Sequence, residues 1–294
     1  MKILVTGANG QVGWELARSL LPLGEVVVAT RRQADFSSPD SLRACVLAMK
    51  PDVIVNAAAY TAVDKAQTEI ELAHTINAQA VGVLAETAQQ ISALLVHYST
   101  DYVFDGTKQG LYDETDNTNP LNVYGQSKLA GEAAIQATAA DALILRTTWV
   151  YAARGSNFVK SILRLAAERE ELNIVADQIG APTWARLIAE TTTHIVRQSM
   201  QERQNSVFKS SIYNLTSAGE TSWHGFAQAI VAIATEQGVS LANKSIKPIP
   251  TTAYPLPAPR PANSRLAVTK LEQHFNLTMP HWQNALALCM ADML

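Results

Sequence analysis

The chain begins with Lys2-Ile3-Leu4-Val5-Thr6-Gly7-Ala8-Asn9-Gly10-Gln11-Val12-Gly13, a short apolar strand that runs into three glycines. Apolar residues then recur at helical spacing from Gln11 to Leu21, so the glycines lie between a first strand and a first helix. Glycines at such a turn let a pyrophosphate approach the backbone N–H groups at the helix N-terminus. The spacing G-x-x-G-x-x-G departs from the usual G-x-G-x-x-G, and a plain turn is the alternative. The position after the first strand favours a dinucleotide-binding loop formed by Gly7, Gly10, Gln11, Val12 and Gly13.

Strands and helices alternate along the first half of the chain. Continuously apolar strands are predicted at 2–6, 25–30, 52–57, 93–98 and 143–146. Helices are predicted between them, among them an alanine-rich one at about 68–90. Continuous apolar strands that alternate with helices are typical of a parallel sheet that is covered on both faces. The predicted fold class is therefore α/β, a doubly wound (Rossmann) parallel sheet.

The second half is less regular, with predicted helices at 157–168, 183–199, 222–237 and 281–293 and strands at 173–175 and 212–215. Six of the twelve prolines fall within 248–261, which predicts an extended segment without regular structure. We expect residues 1–150 to form the dinucleotide-binding domain and 151–294 a smaller C-terminal α/β substrate domain. The helix and strand at about 183–215 are expected to return to the first domain.

Composition excludes several classes of protein. The 294 residues are 48% hydrophobic and 17% charged, which is ordinary for a globular protein. A net charge of −3 without a dense basic run argues against nucleic-acid binding, and no apolar run has the length of a membrane helix. Two isolated cysteines, Cys45 and Cys289, fit neither a disulfide framework nor a zinc site. The expected location is the cytoplasm.

The end of the second strand should distinguish NADP from NAD. Arg31 and Arg32 stand there instead of an acid, and arginines can hold a ribose 2′-phosphate through charge-assisted hydrogen bonds. Exposed arginines in a polar loop are the alternative. Asp35 and Phe36 follow, where they could border the adenine. The predicted cofactor is NADPH, with NADH as an alternative donor.

A Tyr-x-x-x-Lys, Tyr124 to Lys128, follows a strand that ends in Ser99 and Thr100. In a helix these side chains share one face, and a lysine ammonium near a phenol lowers the pKa of the phenol. Alone, such a pair is a weak signal. After the glycine loop and the Ser-Thr strand end, it predicts an oxidoreductase site of Tyr124, Lys128 and Thr100. Two other polar residues lie in predicted strands. Asn56 either forms hydrogen bonds with the backbone or contacts the cofactor. His97 is expected to be a core residue whose hydrogen bonds are satisfied within the protein.

These motifs, in this order, resemble the extended short-chain dehydrogenase/reductases. Further segments are similar to the dTDP-4-dehydrorhamnose reductases in particular. They are Val53–Ala66, Ser99–Gly106, Pro120–Gly125, Arg146–Tyr151, Asp177–Thr183 and Arg260–Leu266. The resemblance implies reduction of the 4-keto group of dTDP-4-dehydro-L-rhamnose, the last step of dTDP-L-rhamnose synthesis.

The resemblance also implies roles for single residues. Tyr124 would donate the proton, Lys128 would hold the nicotinamide ribose, and Thr100 would bind the carbonyl oxygen. Ala59, Tyr60 and Thr61 would contact the cofactor. The residues that would line the sugar pocket are Thr61, Val63, Asp101, Tyr102 and Trp149. For Val63 and Trp149 a place in the core is the alternative. Some members of the family form dimers through Mg²⁺, and the matching acids are Glu15, Glu190 and Asp292. Aspartate at the third position departs from the expected glutamate, so solvated acids are an equal alternative.

Two rival functions stay open. Another nucleotide-sugar enzyme of this superfamily, a 4-epimerase or 4-ketoreductase, would share the site. A 4,6-dehydratase is disfavoured because Tyr102 stands where that family has a glutamate after Thr100-Asp101. A non-catalytic regulatory subunit with this fold is the second rival, and the intact Thr100, Tyr124 and Lys128 argue against it.

Overall fold

A computed structural model describes residues 1–293. Its strands are β1 (Lys2–Thr6), β2 (Glu25–Val28), β3 (Val53–Asn56), β4 (Leu94–Thr100), β5 (Ala142–Thr147), β6 (Val150–Tyr151), β7 (Glu171–Val175), β8 (Ile179–Gly180), β9 (Thr183–Trp184), β10 (Ser211–Asn214), β11 (Thr221–Ser222), β12 (Ser245–Ile249) and β13 (Asn263–Ser264). Its α-helices are α1 (Gln11–Ser19), α2 (Pro39–Met49), α3 (Val63–Ala66), α4 (Ile70–His74), α5 (Ala80–Gln90), α6 (Val123–Gln136), α7 (Phe158–Glu168), α8 (Ala185–Gln204), α9 (Trp223–Glu236), α10 (Thr269–Phe275) and α11 (Trp282–Ala291).

Six parallel strands form the central sheet in the order β10-β5-β4-β3-β1-β2. The middle strands are fully buried, and each face of the sheet carries its own hydrophobic core. This confirms the predicted doubly wound α/β fold. The chain order reverses between β1 and β3, and in such sheets ligands bind outside the carboxyl ends of the strands at the reversal. The glycine loop leaves β1 at this edge of the sheet, and β4 ends there.

The second half of the chain adds three small sheets, ordered β11-β8-β13, β12-β7 and β6-β9. A separate apolar core with Tyr151, Trp184, Phe226 and Trp282 lies among them. Strand β10 instead pairs with β5 in the central sheet. The division into a cofactor-binding domain and a substrate-binding domain stays a prediction.

Two local predictions were wrong. Regular structure does enter the proline-rich segment 248–261, because β12 extends to Ile249 and a 3₁₀ turn covers Thr251–Ala253. Pro248 is tolerated because β12 pairs with β7 alone, so its other edge needs no N–H. The alanine-rich helix is also broken, into α4, a π-helical turn at Thr75–Gln79 and α5. Within residues 1–293, no helix has the length and apolar character to cross a membrane.

Candidate active site

The glycine loop leaves β1 at the carboxyl edge of the sheet. Gly7 has a φ of +70°, and a Cβ atom on it would lie 2.5 Å from the Ala57 carbonyl. A Cβ on Gly13 would lie 2.2 Å from the Gly7 oxygen. Gly10 directly precedes α1 and provides no side-chain cap, so the first N–H groups of the helix stay available for a ligand. The loop therefore fits a pyrophosphate held by backbone N–H groups and the helix dipole.

Other predicted cofactor residues follow β2, and two more lie at the start of α1. The Arg31 side chain is exposed and only loosely paired with Asp35, at 3.9 Å. Hydrogen bonds from Ser37 hold the pKa of Asp35 below its usual range. Phe36 is buried in the core beside Leu4 and Ala29, so its ring supports the loop from inside the fold. Gln11 accepts a hydrogen bond from Asn157 at 3.0 Å, and Val12 packs against the core.

The segment after β3 is held by Asn77 from the π-helical turn. The Asn77 amide pairs with both the N–H and the carbonyl of Tyr60, at 2.8 and 3.0 Å, and also donates to the Ser127 hydroxyl. The Tyr60 hydroxyl donates to Glu69 at 2.6 Å, which raises its pKa to about 12. Asn77 thus fixes the path of Ala59-Tyr60-Thr61, which leaves Thr61 exposed and Val63 half-buried. Sequence reasoning missed Asn77, which lay within an apparently continuous helix.

Thr100 and Tyr124 are in contact where β4 ends beside the start of α6, and Lys128 lies one turn further along that helix. Asn122 caps α6, accepting from the Gly125 N–H at 2.8 Å. Gly125 lets the helix approach the turn after β4, since a Cβ there would lie 2.2 Å from the Tyr102 oxygen. Burial raises the pKa of Tyr124 to about 12, while its contact with the Thr100 hydroxyl acts in the opposite direction. Tyr124 is therefore a phenol at neutral pH, the form that can give a proton.

The predicted lowering of the Tyr124 pKa by Lys128 is wrong in this structure. The buried Lys128 Nζ donates to the Tyr98 carbonyl oxygen at 2.6 Å and lies 3.1 Å from His97 Nε2. Burial lowers the pKa of Lys128 itself to about 8, against the opposing charge of Glu132. A pKa of about 8 still leaves this lysine mostly charged at neutral pH, and its Nζ is directed at the Tyr98 carbonyl and His97. His97 is buried in the core as expected. Its ring also contacts the candidate catalytic lysine.

Asp101 is a buried carboxyl next to Thr100. Burial raises its pKa to about 6, and the hydroxyls of Ser264, Thr100 and Thr148 offset this only in part. Oδ1 accepts from Thr100 at 3.1 Å. Among the described residues, Asp101 Oδ2 and the hydroxyls of Ser99 and Thr147, at the ends of β4 and β5, are buried without a hydrogen-bond partner. A group of buried oxygens at the carboxyl edge fits a polyhydroxylated ligand, because such atoms require hydrogen-bond partners.

Two aromatic pairs border this edge. Trp149 has a φ of +46° and stacks on Trp223, with ring centroids 3.6 Å apart and planes 13° apart. Gly180 covers its other face, where a Cβ would lie 2.7 Å from the indole. Tyr102 meets the Tyr124 ring edge-on at 5.5 Å. Sequence reasoning missed Trp223, because the β11–α9 segment carries no motif that would link it to Trp149.

The structure does not support the predicted magnesium site. Glu15 and Asp292 both bind the Arg186 guanidinium, so a cationic side chain already balances these two carboxylates. Glu190 is exposed, one turn beyond Arg186 on α8. From Met1 to Met293, no group of three or more His, Cys, Asp or Glu side chains could hold a metal ion.

A glycine loop at the first turn, Ser-Thr at the end of β4 and Tyr-x-x-x-Lys on the next helix define a dinucleotide-dependent oxidoreductase of the short-chain dehydrogenase/reductase class. Comparison with known proteins narrows the class. The family model described as the RmlD substrate binding domain matches residues 1–294. The chain belongs to the dTDP-4-dehydrorhamnose reductase family.

Individual relatives agree with this placement. The dTDP-4-dehydrorhamnose reductase of Burkholderia thailandensis is 57% identical, with 100% of this chain and 99% of the relative covered. The Escherichia coli K12 protein of the same name is 48% identical, over 96% of this chain and 95% of the relative. The Bacillus anthracis reductase, solved in complex with NADP, superposes with a TM-score of 0.88 at 33% identity and 99% coverage of both chains. The Thermus thermophilus UDP-glucose 4-epimerase (TM-score 0.78, 20% identity, 100% and 99% covered) shares the fold.

Proposed function

We propose that this protein is an NADPH-dependent reductase that converts dTDP-4-dehydro-L-rhamnose to dTDP-L-rhamnose. The observation that carries the proposal is that Thr100 and Tyr124 are in contact where β4 ends, with Lys128 one turn further along α6, in a chain of the reductase family. When bound, the nicotinamide supplies the hydride that reduces the sugar C4. The residues of this chain supply binding, orientation and the proton.

The geometry supports the following proposed roles. Tyr124, kept as a phenol by burial, donates a proton to the developing C4 alkoxide. Thr100 stands beside it and donates a hydrogen bond to the same oxygen, which stabilises the charge as it forms. Lys128 holds the nicotinamide ribose. Asp101 accepts hydrogen bonds from sugar hydroxyls, which would satisfy its unpartnered Oδ2.

The proposed binding residues divide between the two ligands. The cofactor pyrophosphate lies on Gly7, Gly10, Gln11, Val12 and Gly13, with the adenosine end near Arg31, Asp35 and Phe36 and the nicotinamide end near Ala59, Tyr60 and Thr61. The sugar nucleotide contacts Thr61, Val63, Tyr102 and Trp149. A homodimer and a cytoplasmic location stay predictions, and light scattering of the purified protein would test the first.

The direct test supplies enzymatically made dTDP-4-dehydro-L-rhamnose with NADPH or NADH, follows nicotinamide absorbance and identifies the sugar by NMR. We expect one NADPH oxidised for each dTDP-L-rhamnose formed. Tyr124→Phe should lower kcat by about 10²- to 10⁴-fold, the usual contribution of a general acid. Tyr213→Phe, which removes a buried hydroxyl from β10, is the matched control and should keep near-normal kcat.

The outcomes separate the rivals. A new sugar without net NADPH oxidation would indicate an epimerase that keeps its nicotinamide. No turnover with either cofactor would overturn the proposal and favour a regulatory subunit. Full activity in Tyr124→Phe would overturn the role of Tyr124 as proton donor.

A further inference from the structure

A loop between β6 and α7 lies against the first turn of α1, and we call its residues 152–157 the crossing loop. Asn157 Nδ2 donates to Gln11 Oε1 at 3.0 Å and to the Ala152 carbonyl at 2.7 Å. Gly155 also packs on Gln11, because an added Cβ atom would lie 3.5 Å from Gln11 Cγ. The crossing loop therefore contacts the first residue of the helix that follows the glycine loop.

The path of the crossing loop is fixed by the direction of the Asn157 hydrogen bonds. The Lys160 N–H, which can only donate, meets Asn157 Oδ1 at 3.2 Å and caps α7. This turns Asn157 Nδ2, which can also only donate, toward Gln11 and the Ala152 carbonyl. One side chain thus begins α7 and attaches the loop to α1. The residues between these two attachments are held beside the N-terminus of α1.

Arg154 extends from the crossing loop over the face of Trp14. The guanidinium carbon lies 3.7 Å from the centroid of the indole. Arg154 is exposed and Trp14 is 37% exposed, so the pair lies at the protein surface. Helical side chains point back toward the N-terminus, so Trp14, the fourth residue of α1, places its ring beside the first turn. The charge of Arg154 is thereby held within about one helical turn of the free N–H groups.

The charges around this helix N-terminus favour an anion. The first turn of α1 contains no acidic residue, and the only carboxylate of the helix, Glu15, faces Arg18 at 3.6 Å and Arg186 at 3.3 Å. A cationic side chain beside a helix N-terminus is unfavourable by itself, because the free N–H groups already carry positive partial charge. An anionic ligand reverses this, since both the N–H groups and Arg154 attract it. The position of Arg154 therefore suits a protein that carries a pyrophosphate at this place.

We propose that Arg154 is a cofactor-binding residue that pairs with the pyrophosphate of NADPH, and that Trp14 positions its guanidinium. The inference rests on the proposed placement of the pyrophosphate on the glycine loop. A free arginine side chain loses rotamer entropy when it binds a ligand, and stacking on an indole removes part of that cost in advance. Arg154 differs in role from Arg31, which is proposed to hold the 2′-phosphate. A pyrophosphate is common to NADPH and NADH, so Arg154 should serve both.

Calorimetry of the full-length protein, without any sugar substrate, tests Arg154. Arg154→Gln should raise the Kd for NADPH and the Kd for NADH alike by about 10-fold, the value of one charge-assisted hydrogen bond. The Kd for 2′-AMP, which has the 2′-phosphate but no pyrophosphate, should not change. The Kd for NADPH should also depend less on salt, because one attraction that salt screens is lost. Arg18→Gln, which removes an exposed arginine from the last turn of the same helix, is the matched control and should leave all three constants unchanged.

Variants of Trp14 test whether the indole acts through the guanidinium. Trp14→Leu removes the ring and should raise the Kd for NADPH about 2- to 5-fold, the value of an exposed cation–π contact. Trp14→Phe keeps an aromatic face and should restore near-normal affinity. In the Arg154→Gln background, Trp14→Leu should cause no further loss, because the ring then has no guanidinium to position. Additive losses in the double variant would overturn the positioning role of Trp14.

The remaining outcomes separate this inference from the proposed function. Unchanged affinity for NADPH and NADH in Arg154→Gln would overturn the assignment of Arg154. A loss confined to NADPH, or an equal loss for 2′-AMP, would also overturn it, because the residue would then act at the adenosine end. Wild-type protein that bound neither dinucleotide would overturn both proposals. If the binding results held but no keto-sugar were reduced, the proposed function would fail and the assignment of Arg154 to the pyrophosphate would stand.

Discussion

Arg260 binds Asp64 through two guanidinium nitrogens, with Nη1–Oδ1 at 2.6 Å and Nη2–Oδ2 at 2.9 Å. The Ala258 N–H donates to the same carboxylate at 3.2 Å, and Asn122 donates to the Pro259 carbonyl at 2.8 Å. The proline-rich segment is thus attached to α3 and to the residue that caps α6. Both attachments adjoin residues of the proposed sugar pocket, so we expect the segment to form one of its walls.

Asp64→Asn should raise the KM for the keto-sugar several-fold and leave kcat nearly unchanged, because the wall loosens while the reacting groups stay in place. The Asp64 side chain is 38% exposed, so the loss in unfolding free energy should stay below about 1 kcal/mol. Steady-state kinetics and urea unfolding measure the two effects. Glu168→Gln, in an exposed i,i+4 pair with Arg164, is the control. A fall in kcat at constant KM would contradict this role for the segment.

Gly180→Ala should displace Trp149, because the new methyl group would lie 2.7 Å from the indole. We expect weaker binding of the sugar nucleotide with unchanged NADPH binding, measured by calorimetry for each ligand. Trp223→Ala, which removes the stacked ring, should have the same selective effect. Trp223→Phe keeps an aromatic face and should stay near wild type. Equal loss of both ligands in Gly180→Ala would show a general folding defect instead.

Arg31→Ala tests the preference for NADPH. If the exposed guanidinium holds the 2′-phosphate, its loss should raise the KM for NADPH about 10- to 100-fold, the value of one charge-assisted hydrogen bond. The KM for NADH should not change, since NADH lacks that phosphate. Arg164→Ala removes another exposed arginine, from α7, and should change neither constant. Parallel changes for the two cofactors would remove Arg31 from phosphate recognition.

Glu132 and Arg146 form a buried ion pair beneath the site, with hydrogen bonds of 2.9 and 2.6 Å and both side chains at most 3% exposed. Glu132→Ala leaves the guanidinium buried without its counter-charge and should cost about 3–5 kcal/mol of unfolding free energy. The double variant Glu132→Met/Arg146→Met should recover most of this loss. Chemical denaturation measures both, and a double variant no better than the single one would refute the explanation.

Asp101 should make stability fall as pH rises. The unfolded chain releases this proton near the ordinary pKa of 3.8, but the folded chain releases it near 6, because burial raises the pKa. Between these values the folded state binds more protons, so its stability decreases by at most about 3 kcal/mol and levels above pH 6. Thermal denaturation of Asp101→Asn should lack this decrease. The exposed variant Asp40→Asn should retain it, and a fall that persists in Asp101→Asn would exclude Asp101 as its source.

The amino-acid sequence determined the fold class and the main motifs. Continuous apolar strands between amphipathic helices can be buried only in a parallel sheet covered on both faces, which the six-stranded sheet confirms. The glycines in the first turn and the Tyr-x-x-x-Lys after β4 are local patterns, and their spacing along the chain is enough to predict the kind of site they form. Predictions failed where contacts with distant residues override local propensity. Pro248 lies in β12, which pairs with β7, and the π-helical turn carries Asn77, whose side chain binds the Tyr60 backbone.

Only the tertiary structure decided the protonation and the hydrogen-bond partners of the side chains in those motifs. The pattern Tyr124-x-x-x-Lys128 predicts a lysine that lowers the pKa of the tyrosine, yet the folded chain turns Lys128 Nζ toward His97 and the Tyr98 carbonyl. Residues distant in sequence set this environment, because strand register places Thr6, Asn56 and His97 side by side. Burial and hydrogen-bond direction depend on such long-range packing. Residue spacing along the chain therefore predicts which groups meet, but not which of them carries the proton.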